Sequence, residues 1–268
     1  MTDSIHMSAQ SQTRARFALL PSPFLGASAW DPCRDALAAR GLAASVIDLR
    51  EAFANVDADY DSVARLVSAQ IEARAILVAH SGAGGLAPAV QAAAGDRVQA
   101  VIFVDALMPH PGRSWFDTAP AALTARLRAD ARDGRVPPWP AWLPEGALAR
   151  LLPAPSMRER FIADAPVAPL TYLQAPAPAL AAWPPRLGCA YIQLSDGYQA
   201  EAGMARSLGW PVERLDLNHL AILTAPETVG EAIIDLVDRL RAPYWDTADV
   251  SRDTPTLSPN GPVRNASH

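Results

Sequence analysis

Ser81 is the residue in this chain best placed to do covalent chemistry. It lies in Ala75-Ile76-Leu77-Val78-Ala79-His80-Ser81-Gly82-Ala83-Gly84-Gly85, a short apolar run that ends in the serine and continues into small residues. Such a run reads as a strand turning sharply into a helix, with the hydroxyl exposed on the bend. The bend holds the serine in a strained conformation, so bulk two residues to either side would collide across it. Ala79 and Ala83 meet that demand where glycine is usual. A serine hydroxyl is a weak nucleophile at neutral pH: it needs a base, and the base needs a third group to orient it.

The base can be sought by elimination among five histidines. His6 and His268 lie in polar terminal segments, His80 should point away from its neighbour Ser81, and His110 sits where the fourth predicted strand has ended. His219, in Leu217-Asn218-His219-Leu220, follows the last predicted strand. Loops at the carboxyl ends of parallel strands converge on one rim of the sheet, so His219 is expected to meet Ser81 there. The acid should close another strand on that rim, in the chain order Ser, Asp, His. Asp196, in Leu194-Ser195-Asp196-Gly197, and Asp105, in Phe103-Val104-Asp105-Ala106, both qualify. Asp196 is the preferred acid and Asp105 the alternative.

The elements that must position these groups follow from hydrophobic period and punctuation. Strands are expected at 16–20, 44–49, 75–79, 98–104, 189–194 and 212–217, with helices between them. Asp31-Pro32 opens the first helix, and Tyr60 to Ala73 carries Val63, Leu66, Val67 and Ile71 at helical spacing. Thr224-Ala225-Pro226-Glu227 reads as a capping box for the last helix. Alternating strands and helices imply an α/β fold, a mostly parallel twisted sheet with helices on both faces. From 109 to 185 the texture changes: 15 of the 25 prolines fall there, with Trp115, Trp139, Trp142 and Trp183 and no strand pattern. Helical stretches at 121–132, 145–151 and 156–163 make this an inserted helical, proline-rich lid, since long structureless loops are rare in compact domains. The expected organisation is a disordered leader at 1–14, a core at 15–108 and 186–242, the lid at 109–185 and a mobile tail at 243–268.

Composition removes several classes of function. The formal charge of −5 argues against a nucleic-acid partner. No apolar run is long enough to span a membrane. The chain contains no lysine, which excludes a Schiff-base lysine and a phosphate-loop lysine. Cys33 and Cys189 are too few and too far apart for a zinc site or a disulfide framework. No metal or organic cofactor is called for, and a reducing cytoplasm is the expected location.

The elbow Ala79-His80-Ser81-Gly82-Ala83, with Asp196 and His219, resembles the α/β-hydrolase fold superfamily over about residues 15–242. Val101 to Pro109 resembles the lid entry of its small lidded serine esterases and hydroxynitrile lyases. The resemblance implies a sheet lacking the first two of eight strands, and acyl transfer on an ester, thioester, lactone or amide. Pro21 to Trp30 takes the place of the family's oxyanion loop, with Pro21-Ser22-Pro23 replacing its His-Gly-small pattern. Proline has no amide hydrogen. The oxyanion donors are therefore expected to be the amides of Gly82 and of Phe24 or Leu25.

Expected pocket residues are His80, Met108, Trp115, Trp139, Trp142 and Leu220. Residues 109–186 hold nine arginines against six acids, which makes an acyl carrier protein or a coenzyme A thioester a candidate partner beside a small-molecule substrate. The leading expectation is a serine hydrolase or acyltransferase working through an acyl-enzyme on a small to medium apolar substrate. A lyase or cyclase using the same groups for acid–base chemistry is one alternative. A non-catalytic ligand-binding protein is the other, because fold does not fix function.

Overall fold

A computed structural model describes residues 15–180, 183–186 and 188–250. Six parallel strands form one sheet in the order β2-β1-β3-β4-β5-β6. They are β1 (Arg16–Leu20), β2 (Ala43–Val46), β3 (Ala75–His80), β4 (Val98–Val104), β5 (Cys189–Gln193) and β6 (Val212–Arg214). This is the α/β architecture expected, with the number of strands that the resemblance implied. The central strands β3 and β4 are almost wholly buried, which is why they read as unbroken apolar runs rather than alternating ones.

The pleat sends successive residues to opposite layers. Phe17, Leu19, Ile76, Val78, Ile102 and Val104 face one core, shared with α1 (Asp31–Ala39), α10 (Ala221–Thr224) and α11 (Pro226–Val250). Leu20, Leu77, Ala79, Val101, Phe103 and Tyr191 face the other, shared with α2 (Tyr60–Ala69), α3 (Ala87–Ala94), α9 (Gln199–Ser207) and much of the lid, although Leu152 and Phe161 of the lid join the first core. The lid consists of α4 (Trp115–Thr118), α5 (Ala121–Asp130), α6 (Ala147–Leu151), α7 (Pro155–Ala163) and α8 (Leu170–Gln174).

Both edge strands are shorter than their sequence patterns. The expected 44–49 and 212–217 contract to Ala43–Val46 and Val212–Arg214. An edge strand has a neighbour on one side only, so its ladder stops where that neighbour's register runs out, whatever the apolar pattern beyond. Thr224 does not cap α11: it ends the short helix α10, and its hydroxyl engages Leu220 and Asn218 instead. The leader expected at 1–14 lies outside the described residues. So does the tail from 251 onward, while α11 continues to Val250 across the boundary expected at 242.

Strand order reverses at β1, whose two neighbours β2 and β3 are reached by crossovers in opposite directions. The crevice at such a switch point, outside the carboxyl ends of the strands, is where open α/β sheets bind ligands. The loop after β1 and the turn after β3 both open there. Gly26 lets the β1 loop approach the end of α7, because an added Cβ would fall about 2.0 Å from the Asp164 carboxylate. Ser28 then bonds that carboxylate through its amide and its hydroxyl, at 3.1 and 2.5 Å.

Candidate active site

Ser81 leaves β3 with φ of +56°, in the left-handed region that non-glycine residues rarely occupy. This is the strained elbow that the small flanking residues implied. A tight 3-10 turn, Ser81–Gly85, follows and leads into α3. The first N–H groups of such a turn have no helical partner, and Gly82 lines the crevice. Gly84 allows the turn to touch the chain leaving β4, since a Cβ there would fall 1.9 Å from the Leu107 carbonyl oxygen.

His219 reaches Ser81 from the far end of the sheet, with Nε2 3.1 Å from the Ser81 Oγ. Its Nδ1 lies 2.8 Å from Oδ2 of Asp105. The preferred acid of the sequence analysis is thereby corrected. Asp105 is fully buried, whereas the Asp196 side chain is 83% exposed and pairs with Arg214. The physical reason is a backbone turn at the end of β4. Asp105 takes φ of +42°, and its carboxylate tucks under the end of β5. There Oδ1 accepts the amides of Leu194 and Ser195 at 2.8 and 3.0 Å, and Oδ2 accepts the Ser195 hydroxyl at 2.6 Å.

Burial opposes ionisation of Asp105, but the bond and charge of His219 and the donors of Ser195 outweigh it and hold the carboxyl below its ordinary range. An ionised carboxylate can only accept, so the proton of His219 resides on Nδ1 and Nε2 is left to accept from Ser81. His80 lies behind this pair. Its ring sits 4.7 Å from that of His219, and its Nε2 donates to the His219 backbone carbonyl at 2.9 Å. Burial, with the neighbouring imidazole, pushes His80 down to about 3, so it is neutral and holds the His219 loop without adding charge.

In the loop after β1 the choice between the two expected donor amides is narrowed by their hydrogen bonds. The Leu25 amide already donates to the Ser22 carbonyl at 2.9 Å, which removes it as a donor. The Phe24 amide makes only a long contact of 3.4 Å with the Ser22 hydroxyl, and Phe24 and Gly82 both line the cavity. Ser22, Pro23 and Trp115 close over Gly82, all within 3.5 Å of where its Cβ would lie.

A cavity of about 290 Å³ opens over Ser81 and His219. The expected Trp115, Trp139 and Trp142 are among its lining residues, together with Phe24, Leu25, Leu107, Leu123 and Tyr198. Phe24 meets Trp115 and Trp142 edge to face at 4.9 and 4.6 Å, an arrangement that fixes the aromatic wall. Three expected pocket residues are placed elsewhere. His80 and Leu220 are fully buried behind the site, and Met108 lies in the core, its carbonyl bonded to His110. Tyr198 escaped the sequence reading. A tyrosine after Asp196-Gly197 has no spacing signal, and only the fold brings its hydroxyl within 3.2 Å of the Ser81 Oγ.

The lid arginines act mainly on the lid. Arg126, Arg132, Arg135 and Arg158 donate to backbone carbonyls, and Arg135 ties the lid to the core through Phe53 and Ala54 at 2.7 Å each. Among the described residues no group of acids, histidines and cysteines is arranged to hold a metal ion, and no helix is long and apolar enough to cross a membrane. Cys33 and Cys189 are free and buried.

The sequence profile described as the alpha/beta hydrolase family matches residues 17–232. Similar solved structures include an extracellular alpha/beta-hydrolase from a Paenibacillus species, described as sharing structural and functional homology with tobacco salicylic acid binding protein 2. It is 19% identical, with a TM-score of 0.69 over 83% of this chain and 98% of that one. A methylesterase from Arabidopsis is 18% identical, with a TM-score of 0.59 over 84% and 99%. A pyrethroid hydrolase from Sphingobium faniae is 21% identical, with a TM-score of 0.57 over 84% and 98%. No curated protein matches in sequence.

Proposed function

The chain belongs to the alpha/beta hydrolase family, and from that premise we propose that it is a serine esterase. Its substrate is a small neutral ester with an apolar acyl group, cleaved through an acyl-enzyme. The observation that carries this reading is the continuous relay from Asp105 through His219 to Ser81, with bonds of 2.8 and 3.1 Å, opening into an aromatic-walled cavity. In this mechanism Ser81 attacks the carbonyl while His219 takes its proton, and Asp105 stabilises the imidazolium. The amides of Gly82 and Phe24 receive the oxyanion. His219 returns the proton to the departing alcohol, then activates the water that releases the acid.

The cavity lining favours a neutral substrate, because His219 is its only titratable side chain apart from the phenol of Tyr198. The methylesterase among the similar folds favours an ester over an amide. A coenzyme A thioester or an acyl carrier protein would have to rely on the outer lid, where four arginines already hold backbone carbonyls.

The test is labelling by a fluorophosphonate together with hydrolysis of p-nitrophenyl esters of graded acyl length. Labelling and turnover lost in Ser81→Ala, and an acyl adduct on Ser81 found by mass spectrometry, are the expected results. Turnover without an adduct would turn the reading toward a lyase or cyclase, and tight binding without turnover toward a receptor.

A further inference from the structure

Within the esterase reading above, on which this inference rests, we propose that Tyr198 is a catalytic residue. Its phenol hydroxyl donates a hydrogen bond to the Ser81 Oγ in the resting enzyme and to the departing alcohol oxygen as the tetrahedral intermediate breaks down.

The donor direction follows from the proton inventory. Nε2 of His219 is the acceptor, because Nδ1 keeps its proton for Asp105, so the one Ser81 proton points to Nε2 at 3.1 Å. The Tyr198 oxygen lies 3.2 Å from the same Oγ. With the Ser81 proton committed to the imidazole, the tyrosine must be the donor. Burial raises the Tyr198 phenol above its ordinary value, so the proton it offers is retained at working pH.

The location favours the leaving oxygen. The Tyr198 ring stacks on the His219 ring at 5.1 Å with an interplanar angle of 8°, which sets its hydroxyl beside Nε2, the atom that must deliver a proton to the leaving alcohol. The oxyanion, by contrast, belongs beside the Gly82 amide, under Ser22 and Trp115. When the Oγ–carbon bond forms, Oγ becomes an ester-like oxygen and a weaker acceptor. The leaving oxygen sits on the same carbon, so the phenol changes partner with little motion. The proton that departs with the alcohol comes from Ser81 by way of His219. Tyr198 keeps its own and lends a hydrogen bond, while the carbon–oxygen bond to the alcohol breaks.

The test compares Tyr198→Phe with wild type on two esters of one acyl group, an ethyl ester and a p-nitrophenyl ester, using kcat/KM, which covers the steps through acylation. An acid–base group contributes roughly 100- to 10,000-fold, and His219 still carries the proton, so the expected loss on the ethyl ester is about 10- to 100-fold. A nitrophenolate leaves without help, so its rate should change by about threefold or less. The ratio of the two rates does not depend on how much of the variant is folded, and a merely structural tyrosine would leave it unmoved. Equal losses on both esters, or no loss on the ethyl ester, would overturn the proposal. Fluorophosphonate labelling of wild type, absent in Ser81→Ala, shows separately that the underlying serine chemistry stands. A wild type that is neither labelled nor active on either ester would remove both readings.

Discussion

Replacing Asp105 by asparagine should disable the site while leaving its shape intact, and the reason lies in the four hydrogen bonds the carboxylate accepts. Two backbone amides, of Leu194 and Ser195, point at Oδ1 from 2.8 and 3.0 Å. An asparagine must therefore keep its oxygen there and place its NH₂ at the Oδ2 position, 2.8 Å from Nδ1 of His219. The NH₂ can only donate, so Nδ1 must become the acceptor and the imidazole proton moves to Nε2. That nitrogen then donates to Ser81 instead of taking its proton. In the Ser-His-Asp template the same tautomer reversal lowers kcat by about 10,000-fold, or about 5 kcal/mol at 1.36 kcal/mol per tenfold.

Asp196→Asn is the matched control, since it breaks only a surface pair with Arg214. Such pairs are worth about 0–1 kcal/mol to stability and carry no proton in the reaction, so turnover should stay within about twofold. The assay is kcat on a p-nitrophenyl ester for both variants, with thermal unfolding to confirm that each is folded. A D105N enzyme keeping more than about a tenth of wild-type kcat would refute this reasoning. So would a D196N enzyme falling further than D105N.

Three other outcomes are expected. His80 is neutral in the fold and held near 3, whereas in the unfolded chain it titrates near 6.5, so the unfolded state takes up the extra proton as pH drops. Stability should be full above pH 6.5 and decline from there toward 3, and His80→Asn should flatten that decline. Wild-type unfolding free energy that is level between pH 6.5 and 5 would contradict it. Gly84→Ala drives a Cβ against the Leu107 carbonyl oxygen, an immovable backbone atom whose residue also donates its amide to the Ser81 carbonyl at 3.0 Å. Overpacking of this kind costs about 1–3 kcal/mol, and it should appear as a lower Tm together with weaker fluorophosphonate labelling. Leu123→Phe narrows the cavity from the α5 side, so the ratio of long- to short-acyl ester turnover should fall while short-acyl kcat persists; an unchanged ratio would show that acyl groups bind elsewhere.

Some of this molecule was legible because single residues announce it. The apolar run ending at Ser81 could hardly be anything but a strand entering a sharp turn, and β4 at Val98–Val104 and β1 at Arg16–Leu20 coincide with their sequence patterns. His219 could be found because the other histidines were disqualified by position. Of the lid's short helices α5, α6 and α7 were visible and the one-turn α4 and α8 were not. The positive charge of the lid suggested a partner, whereas Arg126, Arg132, Arg135 and Arg158 donate to backbone carbonyls of the lid and of the adjoining core loop. Tyr198 and Leu123 carried no signal, because a pocket is assembled from residues distant in sequence. The misplacement of Met108 and Leu220 has the same origin, since proximity in sequence to Asp105 and His219 says nothing about which side of the backbone a side chain takes.

The choice between the two aspartates turns on one backbone angle. Asp105 and Asp196 follow adjacent parallel strands, so each arrives at the same rim and composition cannot separate them. What separates them is that the chain at Asp105 enters the left-handed region, at φ of +42°, one of the few conformations aspartate tolerates better than most side chains. This folds the carboxylate back over the end of β5, where the amides of Leu194 and Ser195 have no further strand to bond and receive it instead. Ser195 closes the arrangement by donating its hydroxyl as well, so the chain leaving β5 supplies the seat for the Asp105 carboxylate. Asp196, one residue on, is left facing solvent and Arg214. Tyr198, two residues further, stacks its ring on that of His219. The chain leaving β5 therefore serves the site twice, with the amides of Leu194 and Ser195 on the Asp105 carboxylate and the Tyr198 hydroxyl 3.2 Å from the Ser81 Oγ.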